Sequence, residues 1–144
     1  MIAPFIMLVD DEVPFVETMA KRLATRNIET IMAFSAEEGL EKLKKNQNID
    51  VIVLDVKMPG MDGLEMLKKI KTGFFRTEVI MLTGHATIEM GIDGMKFGAY
   101  DFLTKPCDIE ELVSKVEEAT KKKREHDEKI KEAEQQNLLK KLEP

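Results

Sequence analysis

Residues 51–63 read VIVLDVKMPGMDG, and this stretch decides the fold. Four consecutive apolar residues at 51–54 are too few for a helix and too continuous for a strand with one wet face. They predict a strand buried on both sides. Asp55 stands at the end of that run, followed by a segment broken by Pro59, Gly60 and Gly63. A carboxylate at the lip of a buried strand asks for a chemical reason.

Working outward, FIMLV (5–9), the weaker IETIMAF (28–34), VIML (79–82) and YDFL (100–103) read as four further strands. Between them, Val13, Val16, Ala20 and Leu23 share one helical face. So do Ala36, Leu40 and Leu43, then Leu64, Leu67 and Ile70, then Ile88, Ile92 and Met95. The alternation βαβαβαβαβα predicts a parallel sheet with right-handed crossovers and helices on both faces. Ser35 with Glu38 forms a capping box for the second helix, Pro14 suits an early helical turn, and Thr87 can cap the fourth. Gly91 and Gly94 each weaken the fourth helix by about 1 kcal/mol relative to alanine. It is the helix expected to shift most easily.

The chain has 144 residues, which suits one domain with a substantial core. Hydrophobic residues at 43% and charged residues at 34% predict a soluble globular protein, and FIMLV is far too short to cross a bilayer. The start, MIAP, lacks a basic region and a long apolar stretch, and the single Cys107 excludes an internal disulfide framework. A cytoplasmic location without membrane attachment is expected. The net charge of −5 argues against direct nucleic-acid binding. That charge is uneven: residues 1–120 carry −7, whereas residues 121–144 carry +2.

In open parallel sheets, ligands bind beyond the carboxyl ends of the strands. The residues there are Asp10 and Asp11, then Asp55, then Thr83 and Gly84, then Thr104, Lys105 and Pro106. Three carboxylates on one rim repel one another unless a cation neutralises them, and a hard divalent ion such as Mg²⁺ (or Mn²⁺) suits oxygen ligands. No Cys/His spacing suggests zinc. Lys105 and the Thr83 hydroxyl complete a set able to surround a phosphoryl group, and an aspartate can act as the nucleophile.

The Asp10–Asp11 pair, LDVKMPGMDG at 54–63, LTG at 82–84 and DFLTKP at 101–106 together resemble the receiver domain of bacterial two-component response regulators. The likeness covers about residues 4–120. It implies a flavodoxin-like (βα)5 fold with strand order 2-1-3-4-5. It also implies that Asp55 accepts a phosphoryl group from a sensor histidine kinase or phosphotransfer protein. Asp11, Asp55 and the backbone carbonyl of Lys57 would ligate Mg²⁺, with Asp10 acting through a bound water. Thr83 and Lys105 match the phosphate-sensing hydroxyl and lysine, the Lys105–Pro106 bond is expected to be cis, and Phe102 matches the aromatic switch. The surface that changes would comprise roughly residues 87–120. The chain would be a signalling switch with only intrinsic phosphotransfer and dephosphorylation activity, acting on an unnamed output domain or partner.

Blander readings stand beside these. Asp10–Asp11 alone could cap a helix, Phe102 could be core, and Tyr100 could be a signalling residue or an ordinary edge aromatic. His85 and Lys57 flank the site and could obstruct or assist an attacking water, or be loop residues. His126 lies among charges in the tail. Cys107 suits packing better than redox sensing, and Met58 and Met61 suit adaptable packing. An aspartyl-phosphate phosphatase fits less well because Lys57 stands where such sites carry a second aspartate. A nucleotide-binding enzyme lacks its glycine motifs, and a phosphorylation-independent adaptor would not need the full rim set.

No proline or glycine interrupts residues 107–143, and Glu117–Lys121, Glu118–Lys122, Glu125–Lys129 and Asp127–Lys131 stand at helical i,i+4 spacing. The fifth helix is expected to run on as a charged extension over 121–144, about 50 Å long if helical to Leu142. A heptad through Ile109, Leu112, Val116, Ala119, Ile130 and Ala133 is spoiled by Lys123, His126, Asn137 and Lys140. A weak coiled coil and a frayed solvated helix both fit, and a homodimer through residues 87–142 stays open. The ending KKLEP fits a natural terminus or the cut edge of a longer regulator.

Overall fold

A computed structural model describes residues 3–84 and 87–143. Residues 1 and 2 of the MIAP start, and the final residue of KKLEP, lie outside it. Ten elements alternate among the described residues: β1 (Phe5–Val9), α1 (Val13–Ala24), β2 (Glu29–Ala33), α2 (Ala36–Lys45), β3 (Val51–Leu54), α3 (Gly63–Gly73), β4 (Glu78–Thr83), α4 (Ile88–Lys96), β5 (Asp101–Thr104) and α5 (Ile109–Leu142). All strand pairs are parallel, in the order β2-β1-β3-β4-β5.

Side chains alternate across each strand, so the two faces collect separate cores. Met7, Val9, Ile52, Leu54, Val79 and Met81 pack with Leu43, Met66, Leu67 and Ile70 under α2 and α3. Ile6, Leu8, Val51, Val53, Ile80 and Leu82 pack with Val16, Met19, Leu23, Leu112 and Val116 under α1 and α5. The central strands β3 and β4 are buried along their whole length, as a continuous apolar run requires.

Sequence and structure differ at some edges. The fifth strand runs from Asp101 to Thr104, one residue later than YDFL suggests, because its ladder to β4 begins at Asp101 opposite Ile80. Tyr100 only leads in, donating its N–H to the Val79 carbonyl at 2.7 Å. The second strand likewise narrows to Glu29–Ala33. Ser35 caps α2 through the Glu38 N–H, but Glu38 reaches back to the N–H of Phe34, one residue beyond the usual box. Thr87 caps α4 through the Met90 N–H.

The largest departure is the facing of α4. Ile88, Ile92 and Met95 form an apolar stripe, yet they are 86%, 61% and 48% exposed. The helix turns its small residues inward instead. A Cβ at Gly91 would stand 3.8 Å from the Phe102 ring, and one at Gly94 would stand 3.5 Å from Met81.

Helix α5 continues unbroken for 34 residues, about 50 Å. Its contacts with the domain do not stop at the body of the sheet. At the amino ends of the strands, buried Asp50 accepts hydrogen bonds from the Phe5 N–H at 2.9 Å and from Arg124 Nε and Nη2 at 3.1 and 2.8 Å. Lys123 stands 3.7 Å from Asp50 and 2.8 Å from Asp127, while Glu78 is bridged by Lys71 and Lys122. Charged residues 122–127 are thereby held against the base of the sheet.

Candidate functional site

The carboxyl ends of β1 and β3 are neighbours, with Val9 opposite Leu54, so the next residues, Asp10 and Asp55, emerge side by side. Backbone bonds fix both: the Asp10 N–H donates to Ala33 O at 3.1 Å and the Asp55 N–H to Val9 O at 3.0 Å. Asp10 and Asp55 are buried and Asp11 is exposed. One oxygen from each of the three lies within 4.8 Å of the others.

Their partners are unequal. Lys105 Nζ approaches Asp10 Oδ2 at 2.6 Å, and Asp10 Oδ1 accepts the Glu12 N–H at 2.9 Å. Asp55 Oδ1 is buried with no hydrogen-bond partner. A buried polar atom left unmade costs about 1–3 kcal/mol, so such an atom usually awaits something. Burial raises the Asp10 carboxyl above its ordinary value, and the neighbouring Asp55 charge adds to the rise. Lys105 and the Glu12 N–H oppose it without cancelling it. For Lys105, burial would lower the ammonium, but Asp10, Asp55 and Glu12 outweigh burial and hold it above the usual lysine value.

Lys105 is positioned from several sides. The Lys105–Pro106 peptide is cis, the Lys105 N–H donates to Thr83 O at 2.9 Å, and Nζ lies 4.1 Å from the centre of the Phe15 ring. Glu12 Oε1 is 3.5 Å from the same nitrogen. Neither Glu12 nor Phe15 stands out in the sequence. Their signal is their place in the first turn after Asp10–Asp11, visible only once the strand ends are known to converge.

Thr83 is fully buried at the end of β4, and Gly84 follows. Strand alternation puts Thr83 on the face of Met81, and Met81 is paired with Phe102. Phe102 is partly buried against the same core under α4. Thr83 and Phe102 therefore share one face of the sheet, two residues apart in register. Lys57 is exposed in the loop after Asp55, while Met58 and Met61 pack into the core. His85 lies outside the described residues.

The segment after Asp55 depends on glycine. Gly63 donates its N–H to Val56 O at 2.7 Å, and a Cβ there would stand 2.2 Å from the Asp55 carbonyl oxygen. Any side chain would push α3 off the strand that carries Asp55. Gly60, with φ +77°, takes the left-handed turn that starts the approach. Asp62 then caps α3 through the Glu65 N–H. Cys107 is partly buried, and burial raises its thiol, with Glu111 and Asp108 adding to the rise. His126 instead meets Phe75 edge-on at 6.1 Å, and Tyr100 packs under Lys122.

The acidic cluster fits a hard divalent cation by its donor set. It offers three carboxylates close together, one lysine to balance them, and one carboxylate oxygen left over. No described helix is long and apolar enough to cross a membrane.

Comparison with known proteins agrees with this geometry. The family model of the response regulator receiver domain matches residues 6–117. The DNA-binding transcriptional regulator NtrC of Escherichia coli is 35% identical over 114 residues, covering 79% of this chain and 24% of that protein. The cell cycle response regulator CtrA of Brucella ovis is 28% identical over 121 residues, covering 84% of this chain and 52% of that one. The chain thus spans about a quarter to a half of the curated relatives it matches. A receiver domain structure from Clostridium thermocellum superposes with a TM-score of 0.80 at 34% identity, covering 84% of this chain and 97% of that one. A CheY-like receiver from Methanospirillum hungatei also gives 0.80, at 27% identity, covering 87% of this chain and 99% of that one.

Proposed function

This chain belongs to the response regulator receiver domain family, and from that premise we propose that Asp55 is the residue that takes up the phosphoryl group. The observation that carries the assignment is the buried Asp55 Oδ1, which has no hydrogen-bond partner, beside two further carboxylates and within the field of Lys105. In the transfer, an Asp55 oxygen attacks the phosphorus of a phosphohistidine on a sensor kinase or phosphotransfer protein. The new P–O bond forms as the P–N bond breaks, and the imidazole leaves with the electron pair and takes a proton from solvent.

Asp10, Asp11, Asp55 and the backbone carbonyl of Lys57 would hold Mg²⁺ (or Mn²⁺). The ion would supply neutralisation of negative charge on the incoming phosphoryl oxygens. Lys105 already pairs with Asp10 and is positioned to exchange part of that pairing for the phosphoryl oxygens. Thr83 offers its hydroxyl to the same group. Movement of Thr83 toward the phosphoryl group frees space on the face it shares with Phe102, and the ring, which already lies against Gly91 and Gly94, turns inward to fill it. A differential stabilisation of a few kcal/mol is enough to invert a two-state population.

The exposed Ile88, Ile92 and Met95 then belong to the face that changes, so output is read by a protein partner or an attached domain at residues 87–120. In this reading the chain acts in the cytoplasm on no metabolic substrate. In the same reading residues 1–120 are the receiver and 121–144 its extension, helical as far as Leu142, whose first turns pack on the domain.

Incubation with Mg²⁺ and a small phosphodonor should add one hydroxylamine-labile phosphate per chain, detected by intact mass. Asp55→Asn should add none. Equal labelling of that variant would move the acceptor elsewhere.

A further inference from the structure

The loop between Asp55 and α3 carries Lys57, yet little of its own backbone holds it in place. Among the described residues, Lys57, Met58, Pro59 and Gly60 make no backbone–backbone hydrogen bond. Met58 seats its side chain in the core, but the outer side of the loop borders an open recess of about 490 Å³ lined by Lys57, Pro59, Gly60 and Asp62. A stretch without ladder or turn bonds keeps conformational freedom unless something outside it takes that freedom away.

The outside hold comes from Glu37. It lies in the first turn of α2, and its Oε1 accepts the Met61 N–H at 3.0 Å from 24 residues away in the chain. The same oxygen lies against Gly60, where a Cβ would stand 3.2 Å from it. The left-handed turn at Gly60 thus admits the carboxylate and presents the next N–H to it. Helix α2 comes near enough because Gly39 has no side chain: a Cβ there would stand 2.8 Å from Met66 Cε on α3 and 3.2 Å from Val9 Cγ2. A carboxylate in the first turn of a helix is favoured by the helix dipole. The Met61 N–H, and then the Glu37 N–H itself, hold this carboxyl below its ordinary value, so it is an ionised acceptor at neutral pH.

We propose that Glu37 is a positioning residue for the cation site, gripping the turn at Gly60 and Met61 so that the Lys57 carbonyl is in place before an ion arrives. This role rests on the reading that the Lys57 carbonyl is a ligand of Mg²⁺ beside Asp10, Asp11 and Asp55. Glu37 is not among the carboxylates that cluster closely enough to share an ion, so it acts through the loop. A loop left free would have to be ordered at the moment of binding, and the affinity would fall accordingly.

Two measurements on the whole ¹⁵N-labelled chain test this: a Mg²⁺ titration followed by amide shifts, and amide exchange at Met61 without Mg²⁺. Glu37→Ala should raise the Mg²⁺ dissociation constant by roughly fivefold, in keeping with one exposed hydrogen bond, and should speed exchange at Met61. Glu37→Gln keeps an oxygen at the same reach without the charge, and should stay within about twofold of wild type in both readouts. Glu37→Asp keeps the charge but falls one methylene short, and should behave like Glu37→Ala. Unchanged affinity in Glu37→Ala would overturn the proposal, as would weaker binding without faster exchange at Met61. So would a loss in Glu37→Gln that Glu37→Asp escapes, since charge at a distance would then set the affinity. Asp11→Ala separates this role from the reading beneath it. If Asp11→Ala loses Mg²⁺ and Glu37→Ala does not, the cation site stands and the role of Glu37 falls. If wild type binds no Mg²⁺, or Asp11→Ala binds it as wild type does, the cation site falls and the role of Glu37 with it.

Discussion

The two ends of the sheet each bury an aspartate to nearly the same depth, and they use it in opposite ways. Asp50 at the amino ends is 2% exposed and Asp55 at the carboxyl ends is 3% exposed. Asp50 accepts one backbone N–H and two guanidinium bonds, with Lys123 beside it. Asp55 keeps an oxygen with no hydrogen-bond partner and shares its surroundings with two more carboxylates. A buried charge whose every oxygen is met fixes structure. One left partly unmet is a site for chemistry, because its need is supplied by a cation or a reacting group.

The sharpest break in that comparison is a matched pair of alanine variants followed by urea denaturation. Asp50→Ala orphans the Phe5 N–H and leaves Arg124 and Lys123 without the carboxylate that gathers them. Removing one member of such a buried ion pair costs about 3–5 kcal/mol. Retained partners, Ala3 O for Arg124 and Asp127 for Lys123, place the expectation near the lower figure. Asp55→Ala loses no side-chain hydrogen bond from Oδ1 and relieves repulsion at Asp10, so its change should stay within about 1 kcal/mol. Equal costs at the two positions would show that the base and the rim do not differ as described.

A metal titration acts on one end alone. Mg²⁺ at a hundredfold excess over its dissociation constant should stabilise the wild-type chain by about 2.7 kcal/mol, seen as a rise in melting temperature. Asp11→Ala should lose most of that rise while folding normally, since Asp11 is exposed. A mild change at the base, Lys122→Ala, should leave the rise intact. If Asp11→Ala and wild type respond alike, the cation sits elsewhere.

Much of the rim half of this contrast is legible in the order of residues alone. A strand that is apolar throughout must end at a rim, so Asp10, Asp55, Thr83 and Lys105 declare themselves by standing just after such runs. The base is not legible in that way, because Asp50 and Arg124 are 74 residues apart and meet only when β3 and a helix beyond the last strand share an edge. Residues 122–127 read only as part of a charged helical extension for the same reason. The facing of α4 escapes the sequence on a different ground. Periodicity reveals that Ile88, Ile92 and Met95 share a side, but nothing in a helical period says that the side is inward. The inward side is set by Phe102 and Met81, whose bulk on the sheet lies against Gly91 and Gly94, where the helix brings no side chain of its own.

That last point supplies the smallest of the expected effects and the finest test of the rim half. Helix α4 carries two glycines in nine residues, whereas α5, anchored at the base, carries none in 34. Gly94→Ala should recover about 0.5–1 kcal/mol of helix stability through reduced backbone freedom. The added methyl would meet Met81 at 3.5 Å, Phe102 at 3.7 Å and Ala99 at 4.0 Å, all ordinary van der Waals contacts, so no steric cost opposes the gain. The same methyl would press on the edge of the Phe102 ring that has to turn. Gly94→Ala should therefore melt slightly higher while showing a reduced change in the environment of Phe102, read by ¹⁹F NMR of fluorophenylalanine-labelled chain with beryllofluoride. A variant that is stabilised yet switches fully would mean that the ring does not use the glycine face. A variant that is destabilised would mean that α4 sits closer to the sheet than these distances allow.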